Sequence, residues 1–160
     1  MKESPPVFDG LVLLPHPSME TGKGVFTTAD IPAWTHILTF RGPELTLEEL
    51  DDPDHSIQVG RNLFLGPYGG IDDYVNHSCD PNCGLRLVGG ELRLYAIRAI
   101  QAGEELTFDY ATCVGPEDPW TMECLCGTAR CRGHIAGYSI LPEDFRRRYE
   151  ELDIVPWFVR

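Results

Sequence analysis

Asn76-His77-Ser78-Cys79-Asp80-Pro81-Asn82 and, further along, Gly103-Glu104-Glu105-Leu106-Thr107-Phe108-Asp109-Tyr110 are the two strings on which the fold turns. Each has an ordinary reading when taken alone. A single histidine among small polar residues is more often a satisfied buried side chain than a ligand, and Phe108 and Tyr110 alternate around Asp109 as on any strand. The segment between the strings is more definite. Leu85-Arg86-Leu87-Val88, then Gly89-Gly90, then Glu91-Leu92-Arg93-Leu94-Tyr95-Ala96 reads as a β-hairpin, because two glycines suit a turn with positive φ at both central positions. The strings therefore flank a hairpin.

The same grammar extends outward. Sixteen glycines and 13 prolines punctuate the chain, and the apolar runs between them are short. Strands are predicted over 11–14, 24–27 and 36–40, over 56–59 and 63–65 around a Gly60-Arg61-Asn62 turn, and over 106–108. Gly22-Lys23-Gly24-Val25-Phe26 carries a Gly-x-Gly that on its own signals only a tight turn. Helices are scarce. Thr46-Leu47-Glu48-Glu49 has a capping-box pattern for one short helix. Residues 142–152 form the better case, with Pro142 near the first turn and Phe145, Tyr149 and Leu152 on one face. The expectation is a mostly-β single domain with a C-terminal appendix.

Near that appendix, Cys124-x-Cys126-x-x-x-x-Cys131 makes an incomplete metal site. An i, i+2 pair of cysteines is poorly placed to form a disulfide with itself. A structural zinc takes four tetrahedral thiolate or imidazole ligands, so a fourth must come from elsewhere. Cys79, Cys83, Cys113 and His134 are the candidates.

Charge and composition set limits. The net charge is −12, with Asp and Glu outnumbering Lys and Arg by 25 to 13. Nucleic-acid binding needs a basic footprint, so direct nucleic-acid binding is not expected, whereas a basic ligand would be drawn in by the field. No run of residues reaches the roughly 20 apolar positions of a membrane span, so no membrane partner is expected. Met1-Lys2-Glu3-Ser4-Pro5-Pro6 lacks the apolar stretch of a signal peptide. Six cysteines are then read as thiols or metal ligands, and the protein as intracellular: cytoplasmic, or nuclear in a eukaryote.

Together, in this order and spacing, the two strings, the Gly-x-Gly segment and the cysteine cluster resemble the SET-domain family of protein lysine methyltransferases carrying a post-SET cysteine segment. The resemblance runs over about 11–137. It implies a fold of small curved sheets, β-clip-like, with a knot-like core where the strings cross, short helices and a C-terminal zinc-binding segment. The implied divisions are a SET domain over 8–115, a post-SET segment over 116–137 and a helical extension over 138–160.

The resemblance also implies a reaction and its residues. The reaction is methyl transfer from S-adenosylmethionine to a lysine ε-amine in a basic, lysine-containing peptide segment, such as that of a histone or histone-like protein. By motif position Tyr110 is the catalytic tyrosine. Phe108 lines the lysine channel, where phenylalanine rather than tyrosine leaves room for di- or trimethylation. Lys23, Gly24 and Phe26 approach the cofactor, Asn76 and His77 hydrogen-bond it, and Leu125 lies over its adenine. Cys79 joins Cys124, Cys126 and Cys131 on one zinc, leaving Cys83 and Cys113 as small apolar residues. The oligomeric state is open.

Departures from the family pattern are specific. Asp73-Tyr74 stands where many members have Arg-Phe, which removes a cofactor arginine. His55-Ser56-Ile57 falls near the usual place of a channel tyrosine. A rival reading is a catalytically silent SET-like module that binds a peptide or partner.

Overall fold

The structure, a computed structural model, describes residues 8–19 and 22–160; the Met1-to-Pro6 segment tested for an export signal lies outside these. Among the described residues there are twelve short strands and one α-helix. β1 (Leu11–Pro15) pairs antiparallel with β2 (Lys23–Thr27). A three-stranded sheet places β9 (Glu91–Ala96) between β3 (His36–Thr39) and β8 (Cys83–Val88). A second places β6 (Leu63–Leu65) between β4 (Glu44–Leu45) and β5 (Ile57–Gly60). β7 (Asn76–His77) and β10 (Thr107–Phe108) form a parallel pair, and β11 (Met122–Glu123) pairs antiparallel with β12 (His134–Ile135).

The β8–β9 hairpin follows directly from its residues. Val88 pairs with Glu91 across Gly89 and Gly90, whose φ angles are 57° and 82°, a turn in which a Cβ at either position would be strained. Alternation then sends Leu92, Leu94 and Ala96 inward with Leu85, while Arg86 faces Arg93 on the other side. The predicted 56–59 and 63–65 pair also forms, with Asn62 at φ 47° completing the turn.

The short helix after Thr46 is a single 3₁₀ turn, Leu47–Glu49, with the Glu49 carboxylate accepting from the Thr46 N–H at 2.8 Å. The box is there, but no buried face follows to extend it into an α-helix. The C-terminal helix α1 spans Glu143–Glu151, starting just after Pro142. It buries Phe145 and Tyr149, worth roughly 1.5–3 kcal/mol each as apolar side chains removed from water. Arg86 donates to the carbonyls of Leu152 and Asp153, satisfying the groups a helix end leaves open. Beyond α1 the chain returns to β8, where Ile154 packs so closely on Gly84 that a Cβ there would lie 2.6 Å from it. The C-terminal appendix is thus part of the core. Among the described residues no helix is long and apolar enough to cross a membrane.

Candidate active site and metal centre

The β7–β10 pair brings the two opening strings side by side, Asn76 opposite Thr107 and His77 opposite Phe108. Side chains lock the register. Asn82 donates to the Glu105 carbonyl at 2.7 Å and accepts from the Thr107 N–H at 3.0 Å. His77 is buried and fully engaged: its Nδ1 accepts from the Tyr110 N–H at 3.0 Å, which leaves Nε2 to donate towards Cys79 Sγ at 3.3 Å. Burial lowers its pKa to about 4, so the imidazole is neutral. Any bond from His77 to a cofactor therefore runs through its main chain rather than its ring.

Tyr110 and Phe108 project into one cavity of about 60 Å³. Their ring centroids are 5.0 Å apart, Phe40 packs edge-on against Phe108, and Trp120 lies 6.0 Å from Tyr110. The Tyr110 hydroxyl donates to the Val75 carbonyl at 2.7 Å. Burial raises its pKa, so it is a neutral phenol and not a base. Cys113, buried in the core as a small apolar residue, also lines this cavity, its Sγ donating to the Tyr110 carbonyl.

The cavity carries Asp54, Asp72, Asp73 and Asp118 together with Arg41. These carboxylates suit a cationic guest. Asp73 accepts from the Tyr68 and Gly69 N–H groups, which accounts for an aspartate at this departure from the family pattern. The 55–57 stretch supplies no tyrosine, and His55 lines the cavity with its imidazole. Trp120 adds a further aromatic face, and its indole N–H donates to Asp54 at 2.8 Å. Nothing in the sequence marks Trp120 beyond its type, because its role depends on a contact 66 residues away.

On the other side of Val75, Asn76 donates both to the Lys23 carbonyl and to Glu105 Oε1, each at 2.8 Å. Glu105 Oε2 meets His16 at 2.8 Å. A Cβ on Gly24 would lie 2.5 Å from Glu105 Oε1, so a side chain there would push the Glu105 carboxylate off its place against Asn76 and His16. The Lys23 ammonium lies 5.7 Å from the Tyr74 ring centroid, which leaves a cation close to the string that lacks the usual arginine. Phe26 bridges to Glu105, so Lys23, Gly24, Phe26 and Asn76 form one wall.

Four of the six cysteines come together in a single group. The Sγ atoms of Cys79, Cys124, Cys126 and Cys131 all lie within 4.8 Å of one another, with Cys79–Cys124 and Cys124–Cys131 each at 3.7 Å. Tetrahedral zinc with bonds of about 2.3 Å needs sulfurs about 3.8 Å apart, so the donor set fits zinc. The Arg132 N–H and His77 Nε2 point at Cys79 Sγ, as polar neighbours of a ligating thiolate do. His134 sits exposed on β12 outside this group, and Cys83 is buried against Asn82. Leu125, between two of the cysteines, is 92% exposed.

A family model described as "SET domain" matches residues 22–111, more than half of the 160-residue chain. The chain belongs to the SET-domain family. Curated relatives of this SET-domain chain carry enzyme names. It is 35% identical over 134 residues to Histone-lysine N-methyltransferase Set2 and 37% identical over 137 to Histone-lysine N-methyltransferase ash1, both of Drosophila melanogaster. These matches cover 72% and 75% of the chain but 6% of each relative. A Saccharomyces cerevisiae histone-lysine N-methyltransferase, H3 lysine-4 specific, is 45% identical over 71 residues, 42% of this chain and 7% of that protein.

Proposed function

We propose that this SET-domain chain is an S-adenosylmethionine-dependent protein-lysine N-methyltransferase acting on a basic peptide segment, held in shape by a structural zinc. One observation carries the reading: the β7–β10 pair brings the Phe108 ring and the neutral Tyr110, which line one aromatic cavity, beside Asn76 and its bond to the Lys23 carbonyl. The named activities of the relatives point the same way.

S-adenosylmethionine supplies a methyl group on a sulfonium, ready for in-line displacement. The protein's task is alignment and charge control. The four aspartates and the net charge of −12 draw in a cationic lysine. Once the amine is out of water among Phe40, Phe108, Tyr110 and Trp120, desolvation and the cofactor's sulfonium charge oppose the ammonium form, whose free pKa is about 10.4. They outweigh the aspartates and ring faces that attract it, so its proton is lost to water more readily. The Tyr110 hydroxyl hydrogen points at Val75, which leaves oxygen lone pairs to accept from a polarised methyl or from the amine. His77, with both ring nitrogens engaged, is not the base.

Asn76, Glu105 and Lys23 would hold the cofactor's amino-acid end, with Gly24 and Phe26 completing the wall and Leu125 covering the adenine. Cys79, Cys124, Cys126 and Cys131 would hold the zinc, which fastens the 116–137 segment as a lid over the 8–115 domain. The 138–160 extension completes it. Phe108 supports di- or trimethylation. The substrate class is histone or histone-like, which in a eukaryote means the nucleus.

A methyltransferase assay with labelled cofactor against histones, a peptide array and a cell lysate tests the proposal. Label on lysine that disappears with Tyr110→Phe is expected. No transfer, with no calorimetric binding of S-adenosylmethionine, would instead indicate a silent binding module.

A further inference from the structure

Helix α1 lies outside the matched SET region, yet it touches each of the three pieces that supply cysteines or catalytic residues. Tyr149 is 1% exposed and its hydroxyl donates to Asp109 Oδ2 at 2.8 Å. Asp109 immediately precedes Tyr110. The same carboxylate takes both guanidinium nitrogens of Arg132, at 2.7 and 2.8 Å, and its Oδ1 also accepts from the Ala111 N–H. Arg132 follows Cys131, and its own N–H points at Cys79 Sγ.

One turn earlier, Phe145 presents its ring to two guanidinium groups, Arg130 at 4.1 Å and Arg132 at 4.7 Å. Arg130 and Arg132 flank Cys131. Asp144 pairs with Arg130 at 2.6 Å, and Arg148 pairs with Asp80, next to Cys79. The outer two ion pairs are solvent-exposed and contribute little. The buried set is different. Asp109 has nearly all its surface removed from water, and a buried carboxylate is held by the sum of its donors.

We propose that α1 is a strap that docks the cysteine loop onto the catalytic string, and that Tyr149 is a positioning residue acting through Asp109 and Arg132. The helix sets the Cys124–Cys131 loop against Cys79 before any metal binds, so metal retention and lid closure depend on a residue beyond both the SET match and the cysteine cluster. A ligand set already assembled loses less chain entropy on binding. The inference rests on the zinc and lid reading proposed above.

The test uses the full chain, its zinc content and a chromogenic zinc chelator. Tyr149→Phe removes one hydrogen bond to a buried charge and should speed zinc release about tenfold. The KM for S-adenosylmethionine should rise several-fold while kcat stays within about twofold of the parent. Tyr138→Phe is the control: Tyr138 donates from the same core to Glu150 of the same helix at 2.7 Å, but that bond does not reach Asp109. It should match the parent in both measurements. Equal acceleration in the two variants would mean that α1 matters only to general stability, and the proposal fails. A parent protein that carries no zinc overturns the metal reading and this inference with it. Should Tyr149→Phe not fold, Phe145→Leu, which keeps apolar bulk but removes the ring under both arginines, is compared with Tyr138→Phe by the same criterion.

Discussion

The Tyr110 hydroxyl donates to the carbonyl of Val75 at 2.7 Å, so the catalytic candidate is tied to a cavity-lining residue that directly precedes Asn76. The bond fixes which way the oxygen's lone pairs face, and burial keeps the phenol protonated. Tyr110→Phe keeps the ring packing on Phe108 and Trp120 and leaves one carbonyl unpaired, costing about 1 kcal/mol of stability. Turnover should fall by a factor of 100 or more, on the order of the 2.7–4 kcal/mol seen when a preorganised polar group at a reacting centre is removed. Single-turnover methyl transfer, with calorimetry confirming that cofactor still binds, is the check. A variant within tenfold of the parent would remove Tyr110 from the chemistry.

Phe108 sits in the same cavity, its ring at 72° to that of Phe40 with centroids 5.9 Å apart. A hydroxyl added there would need a partner, and an ordered water is the readiest one in a cavity of about 60 Å³. Phe108→Tyr should therefore confine the product to monomethyl-lysine, whereas the parent proceeds to di- or trimethyl. Mass spectrometry of one peptide at long reaction times decides it; monomethyl product alone from the parent would overturn the assignment.

Much of this was legible because it is local. The Gly89-Gly90 hairpin, the 142–152 helix with Phe145 and Tyr149 inward, and the strand over 63–65 each follow from a few adjacent residues. The strings at 76–82 and 103–110 pointed to the site only through family resemblance, since the parallel β7–β10 pair is two residues long on each side and no periodicity marks so short a strand. Trp120, Asp54 and the Asp109–Arg132–Tyr149 network escaped notice because each role is a contact between residues 23 to 66 positions apart. A lone Tyr149 reads in sequence as one more residue on an apolar helix face. Only the fold shows its hydroxyl reaching a buried carboxylate.

Cys79 as the fourth ligand makes a clean contrast with His134. Cys79 lies within the group of sulfurs and is fully buried, while His134 is exposed on β12. Burial pushes the Cys79 thiol up to about 11, so its thiolate form depends on a bound cation. Cys79→Ser should lower zinc below one equivalent and loosen the lid, and His134→Ala should leave one zinc per chain. Chelation of the parent should raise the KM for S-adenosylmethionine more than it lowers kcat, because no catalytic group is lost. Elemental analysis alongside kinetics separates the cases, and full zinc retention in Cys79→Ser would sink the assignment.

Trp120 offers the sharpest separation of the lysine cavity from the cofactor wall. Its ring lies against Tyr110 and its N–H is held by Asp54, whereas the Asn76 side chain is bonded to Lys23 and Glu105. Removing it opens one side of the cavity to water, which favours the ammonium form of the incoming amine and removes a surface for its aliphatic stem. Trp120→Ala should raise the KM for peptide about tenfold, leave the calorimetric Kd for S-adenosylmethionine within twofold, and leave zinc content unchanged. Asp54→Ala, which frees the indole without deleting it, should show the same pattern at smaller size. An equal loss of peptide and cofactor affinity in Trp120→Ala would show that the residue supports the whole fold rather than the cavity wall, because a wall residue can weaken only the guest it touches.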